Sequence, residues 1–271
     1  MNCKIKQQEL LVEKLESLLE IEVQLEELQK KPLSYTNSET AKNGYKEEQL
    51  VCDNLRNPDI QNTFSPILGN DYAEWKRIPG THKSDIQSSN GELLAQVKKS
   101  KNGQFQQLDR RKIDSFIEHN PELNSVEKIL KEVFEYPLLP NGTHVDKEKS
   151  LKKLSTSYYS EEELNEFFAL LNKNKKRLIE FAFYGPNIEK KPDYLFSVQY
   201  INGERDNIVL FKIEKIIDYL LTLDFKASKM KTVIKLGDES PFSLQRKGGD
   251  GGKKVSNNIQ IKLIVSKLVD K

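Results

Sequence analysis

The sequence predicts an α/β protein, on three observations. Residues 85–98 carry an Asn90-Gly91 pair between two runs of alternating polarity, the pattern of a β-hairpin. Residues 160–183 and 212–223 repeat apolar side chains at three- and four-residue steps, the pattern of amphipathic helices. Residues 193–201, 242–247 and 259–263 have the composition of strands and are flanked by turn residues.

Bulk composition narrows the function classes. The chain has 271 residues, 37% hydrophobic and 31% charged, enough for one large domain or a domain with an appendage. No apolar run approaches membrane-spanning length. Met1-Asn2-Cys3-Lys4 leads into a helical pattern rather than a signal peptide. Cys3 and Cys52 form neither a disulfide framework nor a zinc spacing, and His82, His119 and His144 are too scattered for a histidine metal site. These features fit a reducing cytoplasm. The net charge of +2 hides an asymmetry: residues 76–112 hold nine Lys/Arg against three Asp/Glu, and residues 226–271 hold eleven against four. Such clusters suit a phosphate-binding surface, although a solvated charged face has the same composition.

In chain order, residues 4–31 read as one amphipathic helix, with Leu11, Leu15, Leu18, Leu25 and Leu28 on a stripe and Pro32 as its stop. It serves either as a coiled-coil arm or as a helix packed on its own subunit. A polar linker covers 33–43, so residues 1–36 make an N-terminal helix and linker, and 37–271 the main domain. A second helix starts near Asn43 and ends at Asn57-Pro58. Glu48 on it either points toward the hairpin or lies on the surface. Phe105–Arg111 is expected to be helical, with Gln106, Gln107, Arg110 and Arg111 offering two-pronged hydrogen bonds to base edges; a plain amphipathic helix is the competing reading. Helices follow at 122–135 and 160–183, the second behind a Ser160–Glu163 capping box, with a loop at 137–158. A strand at 193–201 ends in an Asn202-Gly203 turn, and a helix covers 212–223. Two strands around 242–247 and 259–263 then flank Gly248-Gly249-Asp250-Gly251-Gly252 and Lys253-Lys254. Such a basic two-stranded ribbon can contact phosphates or enter the major groove.

The hairpin carries the chemistry. In its second strand Gln96 and Lys98 share one face, and the turn brings Asp85 beside them. A carboxylate, an amide oxygen and an ammonium suit metal-assisted phosphodiester cleavage, because Mg²⁺ takes hard oxygen donors and keeps several waters. Asp85 would anchor the metal and Gln96 add a neutral oxygen. Lys98 would orient or help deprotonate the attacking water, or stabilise the pentavalent phosphate. An ordinary hairpin with one polar face can hold the same three residues.

Four blocks in order resemble type II restriction endonucleases of the PD-(D/E)XK superfamily, most of all the Haemophilus member that cuts GCGC. They are Thr40–Glu48; Lys83-Ser84-Asp85-Ile86 with Gln96-Val97-Lys98; Phe105–Arg110; and Gln245–Asp250 running on to Gln260-Ile261-Lys262. Ser160–Asn174 is similar too. The resemblance spans residues 40 to about 265. It implies a central mixed β-sheet flanked by helices, with an extra N-terminal helix, and Mg²⁺-dependent double-strand cleavage of a short palindrome, a CG-containing tetranucleotide such as GCGC being the family-level expectation. Mn²⁺ is expected to substitute. Asp85, Gln96 and Lys98 match the active-site trio, with Gln96 where most members carry Glu or Asp; Glu48 is then a candidate third metal ligand. Lys42, Asn43, Lys83, Gln106, Gln107, Arg110, Gln245, Arg246, Lys247, Lys253, Lys254 and Gln260 are the expected DNA contacts. The partners implied are double-stranded DNA, a second copy in a homodimer, and a DNA methyltransferase encoded nearby. The helix at 4–31 and the spacing between blocks depart from the family. Two other readings fit the same residues: a repair or mobile-element nuclease of this fold, and a DNA-binding module that does not cut.

Overall fold

A computed structural model describes residues 39–68, 74–78, 83–101, 106–135, 152–186, 190–246 and 258–268. The helix expected at 4–31, the linker up to residue 38 and the glycine-rich segment 247–257 lie outside them. The chain divides into two units, Met1–Lys46 and Glu47–Lys271. In the first, the described residues are helical.

The helices form where the apolar spacing predicts, with shifts at their ends. Helix α1 (Glu39–Leu55) starts four residues before Asn43, so residues 39–43 are helical rather than linker. Its residues in the second unit bury Val51, Cys52 and Leu55. Pro58 opens α2 (Pro58–Leu68), where a missing N–H costs nothing. Residues 122–135 divide into a 3₁₀ turn (Pro121–Val126) and a later helix, and 160–183 breaks at Asn174 into two. The Ser160–Glu163 capping box is present in both directions: Glu163 N–H donates to Ser160 Oγ at 3.1 Å, and Ser160 N–H to Glu163 Oε2 at 2.7 Å.

Among the described residues, ten strands form two five-stranded sheets. The first sheet is mixed, as expected. It contains β1 (Trp75–Arg77), β2 (Ile86–Ser88), β3 (Leu94–Lys101), β5 (Tyr194–Ile201) and β6 (Glu204–Lys212), in that spatial order. Strands β3 and β5 are parallel, Gln96 opposite Leu195 and Lys98 opposite Ser197; the other pairs are antiparallel. Interior strand β5, between β3 and β6, is buried on both faces over Tyr194–Val198, which is why Tyr194-Leu195-Phe196-Ser197-Val198 shows no clean alternation. Phe196 packs with Ala95, Val97, Trp75 and Phe64 on the side of α1 and α2, while Leu195 joins the larger core on the other side. Trp75 and Phe64 both meet the Phe196 ring edge-on, at 5.8 and 5.9 Å.

The second sheet is antiparallel and contains β4 (Gln106–Lys112), β10 (Asn258–Leu263), β9 (Phe242–Arg246), β8 (Val233–Leu236) and β7 (Phe225–Ala227). Strand β4 corrects the helix expected at 105–111. Its backbone pairs along β10, Arg110 opposite Gln260 and Gln107 opposite Lys262, with a bulge in between. The bulge leaves Leu108 and Asp109 both buried and blurs the two-residue period. Strands β9 and β10 pair as expected, but β8 and β4 flank them, so within the described residues they are interior strands rather than a free ribbon. Helices α3 (Ile113–Glu118), α4 (Glu127–Phe134), α5 (Glu161–Lys173), α6 (Lys175–Tyr184) and α7 (Ile213–Leu221) supply most of the remaining large core, with Phe116, Phe134, Phe167, Phe183 and Ile213 fully buried. No described helix is long and apolar enough to cross a membrane.

Candidate nuclease site

The β2–β3 hairpin places Asp85 and Lys98 together. Ile86 pairs with Ala95 and Gln87 with Leu94, and Asp85 N–H donates to Ala95 O at 2.8 Å. Asp85 thus sits one step before β2, opposite the Gln96 region of β3. Its Oδ2 accepts from the Val97 N–H at 2.8 Å and from Lys98 Nζ at 3.1 Å. The turn differs from a two-residue hairpin: residues 89–92 form the loop, and only Gly91 has a positive φ (77°). Asn90 instead uses its side-chain oxygen, accepting from Ser88 Oγ and the Glu92 N–H. The left-handed two-residue turn occurs at Asn202-Gly203, with φ of 52° and 89°.

Gln96 is fully buried. Its Nε2 donates to Phe183 O at 2.9 Å, while its Oε1 accepts no hydrogen bond. A buried amide oxygen left in that state costs about 1–3 kcal/mol. An oxygen-seeking cation would remove the deficit. Asp85 and Gln96 carry oxygen donors of the kind that Mg²⁺ takes. Among the described residues no group of three or more His, Cys, Asp or Glu side chains is placed to hold a metal, so the set is sparse in charge.

Glu48 is held by a different partner. Its Oε2 accepts from Arg77 Nε at 2.8 Å. Burial raises the Glu48 carboxyl above its usual value, the Arg77 bond opposes that, and the charge of Asp85 raises it further. It also feels the charge of Lys98, so it stands in the electrostatic field of the site without direct contact to the trio. The preceding residue, Glu47, is buried against Lys99 and accepts from Tyr200 Oη at 2.9 Å. Lys99 in turn lies 3.7 Å from the centre of the Tyr200 ring. These contacts fasten the part of α1 from Glu47 onward to the β3–β5 pair. Sequence reasoning missed Arg77 and the Glu47–Lys99–Tyr200 cluster, because the partners are far apart in the chain and each is an ordinary charged or aromatic residue.

The expected DNA contacts separate into four groups. Gln107 and Arg110 are exposed on β4, and Gln107 Oε1 accepts from Gln260 Nε2 at 2.9 Å. Gln245 and Arg246 are half-buried; Gln245 lies opposite Gln260, so Arg110, Gln260 and Gln245 form one row across three strands. Two residues are corrected, because the fold uses their polar groups internally. Gln106 is buried, its Nε2 donating to Ser197 Oγ at 2.5 Å and, weakly, to Lys98 O at 3.4 Å. Lys83 donates to Leu108 O and Asp109 Oδ1, both at 2.9 Å, and to Ala182 O at 3.1 Å. An ammonium has three protons, so Lys83 has none left for a phosphate. Burial lowers its pKa and Asp109 works against that. The side chains of Lys42 and Asn43, and residues Lys247, Lys253 and Lys254, lie outside the described residues.

Cys52 is buried, and burial pushes its thiol up to about 11, which leaves it unreactive. His119 receives a structural place: its Nδ1 lies 2.7 Å from Ser115 O. Cys3, His82 and His144 are outside the described residues.

No family model matches the chain, and no curated protein matches it. Among solved structures it is similar to the restriction endonuclease MspI in complex with its cognate DNA, at 12% identity and a TM-score of 0.43, over 75% of this chain and 77% of that one. The functional reading therefore rests on the residues themselves.

Proposed function

We propose that the chain is a type II site-specific deoxyribonuclease making Mg²⁺-dependent double-strand cuts at a short palindrome. One observation carries the reading: Asp85 and Lys98 are in contact on a hairpin whose shared strand also buries a Gln96 amide oxygen with no partner. An unpartnered buried amide oxygen is a donor that a hard cation would take. The exposed Gln107 and Arg110, the half-buried Gln245, and the sequence resemblance to PD-(D/E)XK endonucleases support DNA as the substrate, while Gln260 is buried and bonded to Gln107.

Each residue has a task that follows from its surroundings. Asp85 keeps one oxygen engaged by Val97 N–H and Lys98, so its carboxylate is oriented before any ligand arrives. Asp85 and the Gln96 oxygen would hold Mg²⁺, with Glu48 as a third ligand once released from Arg77; Mn²⁺ would take the same donors. When bound, the metal would supply Lewis acidity at the scissile phosphate and a more acidic water. Lys98, beside that carboxylate, would orient the attacking water and place positive charge on the pentavalent phosphate. Attack in line with the leaving 3′ oxygen would give a 5′-phosphate and a 3′-hydroxyl. A CG-containing tetranucleotide such as GCGC is the proposed target. The protein would act in a bacterial cytoplasm, alone or as a homodimer, beside a methyltransferase that protects the host site.

The test is digestion of plasmid and phage DNA with Mg²⁺, beside a Lys98→Ala control, followed by sequencing of the ends. Discrete fragments lost in the control are expected. A smear lost in the control would replace restriction with a non-specific nuclease. Retarded but uncut DNA would replace catalysis with binding alone.

A further inference from the structure

The C-terminal end of α6 solves a local problem with groups from the site. The last four carbonyls of a helix have no partners within it. Phe181 O is capped by the Gly185 N–H at 2.9 Å. Ala182 O accepts from Lys83 Nζ, and Phe183 O accepts from Gln96 Nε2. Adjacent carbonyls of one helix end thus hold Gln96 on β3 and Lys83, two residues before Asp85. Lys83 also reaches Leu108 O and Asp109 on β4. The cation meets the negative end of the helix and a carboxylate at the same point.

Packing prepares the same contact. Gly185 has a φ of 71° and lies so close to Lys83 that a Cβ there would meet Lys83 Cγ and Cε at 3.2 Å. The lysine stem is therefore packed against the Gly185 backbone. Ser84 is tied down too, its Oγ donating to Lys190 O at 2.7 Å.

We infer that Lys83 is a positioning residue: through Ala182, Leu108 and Asp109 it fixes the segment that presents Asp85, and ties that segment to the second sheet. The inference rests on the nuclease reading for its meaning, since it makes β4, the strand of Gln107 and Arg110, a direct neighbour of the Asp85 approach. Its geometry is independent of that reading.

The experiment therefore has one arm that needs no cleavage. Amide hydrogen exchange is followed in the full chain for wild type, Lys83→Met, which keeps the stem and removes the donors, and Lys83→Arg, which keeps the charge. The Asp85 and Val97 N–H groups report on the Asp85 segment, and the Val198 N–H on β5 reports on the fold. Exchange at Asp85 and Val97 is expected to rise about tenfold or more in Lys83→Met, with Val198 unchanged and a partial return in Lys83→Arg. Wild-type exchange at Asp85 and Val97, or equal acceleration at Val198, overturns the inference. If Lys83→Met does not fold, Asp109→Asn is read at the same amides with the same criteria. In the second arm, Lys83→Met is expected to lower kcat on plasmid about tenfold with KM for DNA unchanged. An unchanged kcat alongside accelerated exchange also overturns it. A wild type that never cuts sinks the nuclease reading alone, because the exchange arm still decides Lys83.

Discussion

Glu48 and Asp109 are both substantially buried carboxylates, and the molecule treats them in opposite ways. Glu48, near the hairpin, is destabilised as an anion: burial raises its pKa and nearby Asp85 adds to the rise, while Arg77 opposes it. Burial also works against Asp109 on β4, but bonds from Arg111 and Lys83 more than compensate and hold its carboxyl below the usual range. Arg111 makes two bonds to it, at 2.6 and 3.1 Å, and its guanidinium stacks 4.3 Å from the Phe181 ring centre. Glu48 is bonded by one cation, Arg77, whereas Asp109 is bonded by two, Arg111 and Lys83. A site that awaits a cation is expected to look like the first, and a structural joint like the second.

The largest expected effect breaks the hairpin side of this contrast. Lys98→Ala is predicted to cut cleavage roughly 10²–10³-fold, the scale of losing one preorganised charge at a developing anion. DNA retention on gels should change only a few-fold. Cleavage within tenfold of wild type would remove Lys98 from the reaction.

Next comes Gln96→Leu, which separates function from stability at a single buried position. The variant loses the bond to Phe183 O but also removes the unpartnered oxygen. The two changes oppose each other, so the urea midpoint should imply a stability within about 1 kcal/mol of wild type. Cleavage should fall at least tenfold and the Mg²⁺ requirement should rise. A loss of 3 kcal/mol or more with activity retained would show the amide to be a packing element.

These two regions also differ in how much of them the sequence made visible. Asp85 and Lys98 are close in the chain, so strand alternation and one turn were enough to bring them into contact. The turn itself was read from Asn90-Gly91, yet its backbone is a longer loop in which Asn90 acts through its side chain. Strand β4 was read as a helix. Its window has Leu108 as the single apolar residue after Phe105, which gives no period, and its conformation is decided by pairing with β10, about 150 residues away. Lys83 was expected among the DNA contacts, in the block Lys83-Ser84-Asp85-Ile86 that carries the resemblance. Its burial depends on Gly185, Ala182 and Asp109, which no local pattern links to it. Local chemistry was therefore legible, and the joint that supports it was not.

A milder effect is predicted on the second sheet. Arg110 is exposed and opposite Gln260, so Arg110→Ala should leave the melting temperature unchanged. DNA affinity should fall about tenfold, and the slope of log affinity against log salt should flatten by about one if Arg110 meets a phosphate. An unchanged slope with relaxed sequence preference would assign it to a base edge instead. No change in either would move the DNA surface away from β4.

The smallest signal is a slope with pH, and its sign distinguishes the two carboxylates. Asp109 has a folded pKa below its unfolded value near 3.8, so its stabilisation is present above that value and is lost as pH falls through the folded one. Asp109→Asn should therefore be less stable than wild type at neutral pH, and the gap should narrow as pH drops below about 4. Glu48 has a folded pKa above its unfolded value near 4.5, so stability is lost as pH rises through the folded one. Glu48→Gln, whose amide oxygen can still accept from Arg77, escapes that loss and should gain on wild type between acid and neutral pH. Urea titrations of both variants across this range are the check. Gaps that open in opposite directions would support a neutralised joint beside a site that holds its negative charge at a cost. Parallel gaps would mean that the two carboxylates share one environment, and the contrast between the hairpin and the second sheet would fail.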